Sequence, residues 1–180
     1  MIQPFLDAIP QIDPTCYIAE SAVLVGDVIL GPRSSIWHHV TIRGDVNWIR
    51  VGSESNIQDN SVVHVTHQTG PVEIGNRVTI GHGAIIHACT ILDTVLVGMG
   101  AIVLDGVEVG TESIVGAGAL ITQNLKIPPR SMVLGSPAKI VRSLRPDEVE
   151  TVHRYAENYV RYAAIYRGEE RPEKNPFYQR

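Results

Sequence analysis

The chain has 180 residues, and its 15 Lys plus Arg against 19 Asp plus Glu give a formal net charge of −4. That length supports one domain able to bury about 70% of its unfolded surface, and the mildly acidic balance leaves no electrostatic footprint for nucleic acid. No apolar run reaches the roughly 18 residues of a membrane span, and the opening MIQPFLDAIP lacks the basic and apolar regions of a secretory leader.

Residues 1–11 read as an irregular cap. From there the chain keeps a six-residue beat. The aliphatic positions are Ile12, Ile18, Leu24, Leu30, Ile36 and Ile42, then after a break Val51, Ile57 and Val63, and after a second break Ile74, Ile80 and Ile86. A third break leads to Ile91, Val97, Val103, Val109, Val115, Ile121, Ile127 and Val133. Small residues follow in the second half of many hexads, as at Ser55, Ala84, Ala101 and Ala119, and glycine often follows the aliphatic residue, as at Gly52, Gly81 and Gly98. The period-two alternation of an ordinary strand does not produce this pattern, although an antiparallel sandwich with regular turns remains the alternative. A prism with three flat faces does produce it. Each hexad is a short parallel strand plus a corner, three hexads make a coil, and coils stack at about 4.8 Å. The expectation is an all-β hexapeptide-class parallel β-helix of about seven coils. The 20 Ile and 22 Val, against 2 Phe, suit such a thin core.

After residue 145 the period changes. Val149, Val152, Ala156, Tyr159, Val160, Ala163 and Tyr166 follow a helical spacing over residues 146–167, with Pro146, Asp147 and Glu148 at its start and Gly168 at its end. This divides the chain into a β-helix domain with its cap over residues 1–145 and a helix with its tail over residues 146–180, the helix folding back along the prism to cover its apolar stripe. The tail beyond Gly168 is polar and expected to be loose apart from Phe177 and Tyr178.

The sequence contains no P-loop, HExxH, GxSxG or GxGxxG motif, so its chemistry rests on seven histidines, at positions 38, 39, 64, 67, 82, 87 and 153. Counted in hexads, the five-residue insertion in HVTHQTGP places His64, after Val63, directly below His87, after Ile86. His82 falls two residues after Ile80, at a corner a third of a turn away, out of reach of that pair in its own chain. Packing three prisms side by side would bring a neighbour's His82 to the pair and complete a His₃ zinc set with one open position. Taken singly, each reads as a surface imidazole fixed by local hydrogen bonds; the metal reading rests on the stacked pair with its corner partner. Arg43 lies one coil below His64 and Gln58 one coil below Gly81, with Asn56, Asp59 and Asp45 near by. Trp37, His38 and His39 read as packing at a subunit contact. Cys16 and Cys89 form no CxxC pair, which predicts free thiols in a reducing, cytoplasmic setting, and Cys89 reads as a small packed thiol.

The segments Ile42-Arg43-Gly44-Asp45, Asn56-Ile57-Gln58-Asp59, His64-Val65-Thr66-His67 and Gly81-His82-Gly83-Ala84-Ile85-Ile86-His87, with the later Gly98-Met99-Gly100 and Gly135-Ser136-Pro137-Ala138, closely resemble the gamma-class carbonic anhydrases. The likeness covers about residues 10–165. It implies a left-handed coil sense and a homotrimer whose metal is shared between adjacent subunits. Zn2+, or in some members iron(II) or cobalt(II), would be bound by His64 and His87 of one subunit and His82 of the next. The resemblance further implies hydration of CO2 to bicarbonate by a metal-bound hydroxide, with Gln58 on the reactive water and Asn56 orienting Gln58. Arg43, Asp45 and Asp59 would form ion pairs across the subunit contact, and Tyr159 would lie near the pocket. The chain departs from the pattern where family members carry proton-shuttling glutamates: Val46 occupies the first place, and the short loop has no carboxylate. His67, an imidazole on that loop, is the remaining relay candidate. Two other activities are compatible with the same scaffold, thioester hydrolysis at the metal and a non-catalytic role as a metal-stabilised trimeric assembly subunit.

Overall fold

A computed structural model describes residues 1–178. The chain winds into a parallel β-solenoid of about seven turns followed by a single helix, Pro146–Tyr166. Eighteen of the twenty beat positions, all but Ile12 and Ile18, are exposed by 4% or less, and those two pack partly buried against the same core. These aliphatic side chains fill the prism together with a second buried residue two positions earlier, such as Val28, Val40, Val72, Val78 or Val95, each large one contributing about 1.5–3 kcal/mol by leaving water.

The first face stacks Val62–His64, Ile85–His87, Ile102–Val103 and Leu120–Ile121 on the start of the long strand Thr41–Val51. The second stacks Val72–Ile74, Thr90–Ile91, Glu108–Val109 and Lys126–Ile127 on the end of that strand. The third runs from Tyr17–Ile18 through Ser35–Ile36, Asn56–Ile57, Thr79–Ile80, Leu96–Val97 and Ile114–Val115 to Ser131–Gly135. Thr41–Val51 joins two faces, as Val23–Leu30 does below it, but carries three extra residues between Gly44 and Ile49, which accounts for the first break in the beat.

The corners are left-handed bends. One corner uses His39, Asn60, Gly83, Gly100 and Gly118 at positive φ; another uses Arg33, Glu54, Arg77, Thr94, Glu112 and Arg130. The second of these columns carries ion pairs between coils, Arg33 with Glu54 and Arg130 with Glu112 at 2.6 Å.

Two parts differ from the sequence expectation. The cap is not irregular throughout, because Ile2–Gln3 and Gln11–Ile12 both pair with the strand Val23–Leu30. At the other end Ala138–Ser143 reverses direction and pairs antiparallel with Ser131–Gly135, so the last coil closes as a hairpin.

The helix lies against the third face and buries Val152, Ala156 and Ala163. Trp37, 6% exposed, is the anchor. Its ring meets Tyr17 at 5.1 Å, Tyr159 at 5.4 Å and Tyr166 at 5.1 Å, and its indole N–H donates to Ser35 Oγ at 3.0 Å. Trp37 therefore packs under its own helix rather than at a subunit contact. Arg77 with Glu157 at 2.8 Å and His153 with Glu112 at 3.1 Å tie the helix to the charged corner. Phe177 packs on Tyr162 with centroids 4.7 Å apart, so the tail is partly held, while Gln179 and Arg180 lie outside the described residues. Among the described residues, no helix is long and apolar enough to cross a membrane.

Candidate metal centre

His87 sits opposite His64 in the parallel ladder of the first face, and Arg43 sits opposite His64 on the coil below, in the register expected from the hexad count. The extra residues form a closed loop in which Thr66 and Gly70 bridge. The two imidazole rings lie 5.3 Å apart, with Nδ1 of His64 facing Nε2 of His87 at 3.2 Å. Each ring is held at its other nitrogen by a carboxylate: His64 Nε2 by Asp45 Oδ1 at 3.2 Å, and His87 Nδ1 by Asp105 Oδ1 at 2.7 Å.

This pattern fixes where the protons are. An ionised carboxylate only accepts, so in the neutral rings the outer nitrogens carry hydrogen and the two facing nitrogens present lone pairs. Two lone pairs at this separation repel unless a cation or an added proton lies between them. Two nitrogens bound to one tetrahedral zinc at about 2.0–2.1 Å stand roughly 3.3 Å apart, which the observed 3.2 Å matches. Carboxylate–imidazole pairs of this kind set ring tautomer and orientation in zinc sites. The donor set therefore fits a zinc-like ion.

The electrostatics agree. Burial lowers the His64 pKa below its usual value, and nearby Arg43 adds to that, against the opposing effect of the hydrogen bond the ring donates to Asp45, so the ring favours its neutral, ligating form. Burial alone would raise the Asp45 carboxyl, but hydrogen bonds from Arg43 and His64 outweigh it and hold the group below the ordinary carboxylate value. Asp105 behaves likewise, with Thr66 and His87 outweighing its burial.

His82 projects from the corner between the third and first faces. Its Nδ1 lies 2.8 Å from Asp59 Oδ2, and no hydrogen bond or ring contact joins it to His64 or His87. Among the described residues, no three His, Cys, Asp or Glu side chains of one chain gather into a metal cage. On the same corner, Gly83, Gly100 and Gly118 have open space where a Cβ would stand. The three acidic and basic residues assigned to a subunit contact have partners inside the chain: Arg43 pairs with Asp45, Asp45 holds His64, and Asp59 holds His82.

Gln58 and Asn56 are buried at 5% and 0% exposure on the third face beside the His82 corner, away from His64 and His87 of the same chain. Gln58 Nε2 donates to Asn56 Oδ1 at 3.1 Å, and Asn56 Nδ2 donates to Thr79 Oγ1 at 2.9 Å, so the Gln58 amide is tied to Asn56 and through it to Thr79. Trp37, His38, Asp59, Tyr159, Tyr162 and Phe177 are among the residues that line a cleft of about 780 Å³. Burial, with the Asp59 charge adding to it, pushes the Tyr159 hydroxyl up to about 12, so it stays protonated. The His67 imidazole is exposed on the loop, with no partner among the described residues.

Asp105, Thr66 and Thr79 escaped the sequence reading. The signal for Asp105 was its place 18 residues after His87, one coil above and one step further along. Cys16 and Cys89 are both free, and Cys89 is buried with its thiol pushed up to about 12. Its thiol is expected to resist iodoacetamide at neutral pH in the folded protein and to react once the chain is denatured, as mass spectrometry of the labelled protein will show.

Residues 88–123 match the bacterial transferase hexapeptide (six repeats) model. The chain is 46% identical over 168 residues to the mitochondrial gamma carbonic anhydrase 2 of Arabidopsis thaliana, which covers 91% of this chain. It spans only 60% of that relative's length and 61% of a second Arabidopsis gamma carbonic anhydrase. The carbonic anhydrase of Geobacillus kaustophilus is 40% identical, with 93% of this chain and 91% of the relative covered. Among solved structures, a hexapeptide transferase family protein from Anaplasma phagocytophilum superimposes with a TM-score of 0.89 at 39% identity, over 92% of this chain and 98% of that one. With the solenoid, the stacked His64–His87 pair and near full-length likeness to the Geobacillus enzyme in place, the chain belongs to the gamma-class carbonic anhydrase family.

Proposed function

We propose that this protein is a metal-dependent carbonic anhydrase that interconverts CO2 and bicarbonate at the contacts of a homotrimer. The observation that carries the reading is the His64–His87 pair, its unprotonated nitrogens facing each other at 3.2 Å while Asp45 and Asp105 hold the others. His82 of an adjacent subunit, set by its own Asp59, supplies the third ligand, and the open space over Gly83, Gly100 and Gly118 leaves room for that neighbour.

When bound, zinc, or iron(II) or cobalt(II) in its place, acts as a Lewis acid and lowers the pKa of a coordinated water to about 7. The protein's side chains do the rest. Gln58, kept in place by Asn56 and Thr79, holds a hydrogen-bonding amide at the site. Tyr159 offers a hydroxyl that stays protonated at neutral pH and therefore donates. His67 is exposed on the loop beside the metal pair and passes the released proton to buffer. The missing loop carboxylate leaves proton export to this single imidazole, so turnover is slower than in relatives with acidic loops.

The test is stopped-flow CO2 hydration with zinc-loaded, iron(II)-loaded and metal-free protein, its mass in solution measured in parallel. Metal-dependent hydration by a trimer is expected. Full metal occupancy without hydration supports the non-catalytic assembly reading, and turnover restricted to a thioester panel supports the hydrolase reading. A monomer that retains its ion refutes the shared site.

A further inference from the structure

We propose that Asp105, clamped by Thr66, is the positioning residue that fixes the His87 imidazole for metal binding. The inference rests on His64 and His87 being ligands.

The two oxygens of the Asp105 carboxylate have separate tasks. Oδ1 accepts from His87 Nδ1 at 2.7 Å, while Oδ2 accepts from Thr66 Oγ1 at 2.5 Å. A carboxylate with one free oxygen can rotate away from an imidazole. Here the Thr66 hydroxyl occupies the second oxygen, and the plane of the group is fixed by bonds from two sides. The His87 proton is then committed to Nδ1, and Nε2 is left as the only lone pair, aimed at His64 Nδ1 at 3.2 Å.

Both ends of the clamp are rigidly mounted. The Asp105 backbone belongs to a corner in which Gly106 N donates to Ala88 O at 2.8 Å and Asn124 N donates to Asp105 O at 2.9 Å, so the coils on either side hold it. Thr66 lies at the neck of the short loop, where Thr66 N donates to Gly70 O at 2.8 Å, Gly70 N donates back to Thr66 O at 3.3 Å, and Asn47 Nδ2 donates to Thr66 O at 3.1 Å. Gly70 is required there, since a Cβ would stand 2.6 Å from that of Ala88. The loop is thus a device for holding one hydroxyl against one carboxylate. Asp45 has the corresponding relation to His64, with the Arg43 guanidinium as its second partner. The two ligands are therefore set by two independent pairs, Arg43–Asp45 and Thr66–Asp105. Of these four residues, only Asp105 lies outside the motifs by which the family is recognised.

The experiment uses the full chain carrying Asp105→Asn, Thr66→Val, Thr66→Ser or His87→Ala. Zinc affinity is measured by competition with a chromophoric chelator, ligand geometry by the visible spectrum of the cobalt(II) form, and folding by thermal unfolding of the metal-free protein. Asp105→Asn is expected to weaken zinc binding by about 10- to 100-fold, the range for losing an outer partner of a ligating histidine, and to change the cobalt(II) spectrum. Thr66→Val moves both readouts in the same direction by less, and Thr66→Ser restores them. The metal-free proteins unfold near the wild-type temperature. Wild-type zinc affinity in both Asp105→Asn and Thr66→Val, with His87→Ala having lost the metal, overturns this inference alone. Undiminished affinity in His87→Ala overturns the ligand assignment and the inference with it. If Asp105→Asn fails to fold, the Thr66→Val and Thr66→Ser pair decides in the same titration.

Discussion

Replacing His87 with alanine is expected to strip the protein of zinc and to lower metal-dependent CO2 hydration by more than about 100-fold, the upper range seen when only an outer partner of a ligand is removed. The same holds for His64→Ala. Each substitution removes one of the two nitrogens facing each other at 3.2 Å, and among the described residues the surviving imidazole belongs to no metal cage within its own chain. The effect on folding is smaller, because both side chains are only partly buried and neither belongs to the aliphatic core. Metal analysis of the purified variants, with circular dichroism to confirm the fold, separates these effects. Zinc retained at wild-type stoichiometry by both variants would place the site elsewhere.

The second large effect is on stability. Trp37→Ala is expected to cost about 3–5 kcal/mol, the usual range for deleting a buried aromatic side chain, out of a total that for most domains is only about 5–15 kcal/mol. Trp37 is where the solenoid and the helix interlock. It touches Tyr17 from the prism and Tyr159 and Tyr166 from the helix, and its indole hydrogen is satisfied by Ser35. Without it the helix keeps only Val152, Ala156 and Ala163 as buried anchors, together with exposed ion pairs of the kind that contribute about 1 kcal/mol or less. Urea unfolding followed by circular dichroism tests this, and a loss below about 1 kcal/mol would show that the helix docks without the indole. Tyr159 rides on the same helix, so CO2 hydration should fall in this variant even where zinc content does not.

The prism was legible because an aliphatic core position recurs every six residues, a period that no flat sheet or helix shares. The Ile86 and Val63 pairing was legible for the same reason, once the insertion between Val63 and Ile74 was counted as a loop and not as a coil. Asn56 and Gln58 came from resemblance, and the structure shows how one holds the other. Asp105 was not legible. Its carboxylate reaches His87 by being one step out of register with it, in a corner residue whose direction the six-residue count does not specify. Thr66 was missed because the loop closes through its own backbone bridge, a geometry set by Gly70 packing on Ala88 and not by any pattern of hydrophobicity. The strand reversal after Val133 was hidden because its apolar residues, Ile140 and Val141, are largely exposed and follow neither period.

That reversal changes what the end of the solenoid offers to a second molecule. A stacked coil ends in a row of free backbone donors and acceptors, and an identical coil from another molecule is the best possible match for it, the situation that leads exposed strand edges to grow into fibres. Running Ala138–Ser143 in the opposite direction gives the terminal rung a different hydrogen-bond spacing from every parallel rung beneath it. At the opposite end Ile2–Gln3 and Gln11–Ile12 occupy the edge of Val23–Leu30. At its C-terminal end the third face thus finishes in a rung unlike those beneath it, a poorer template for another molecule's parallel coil.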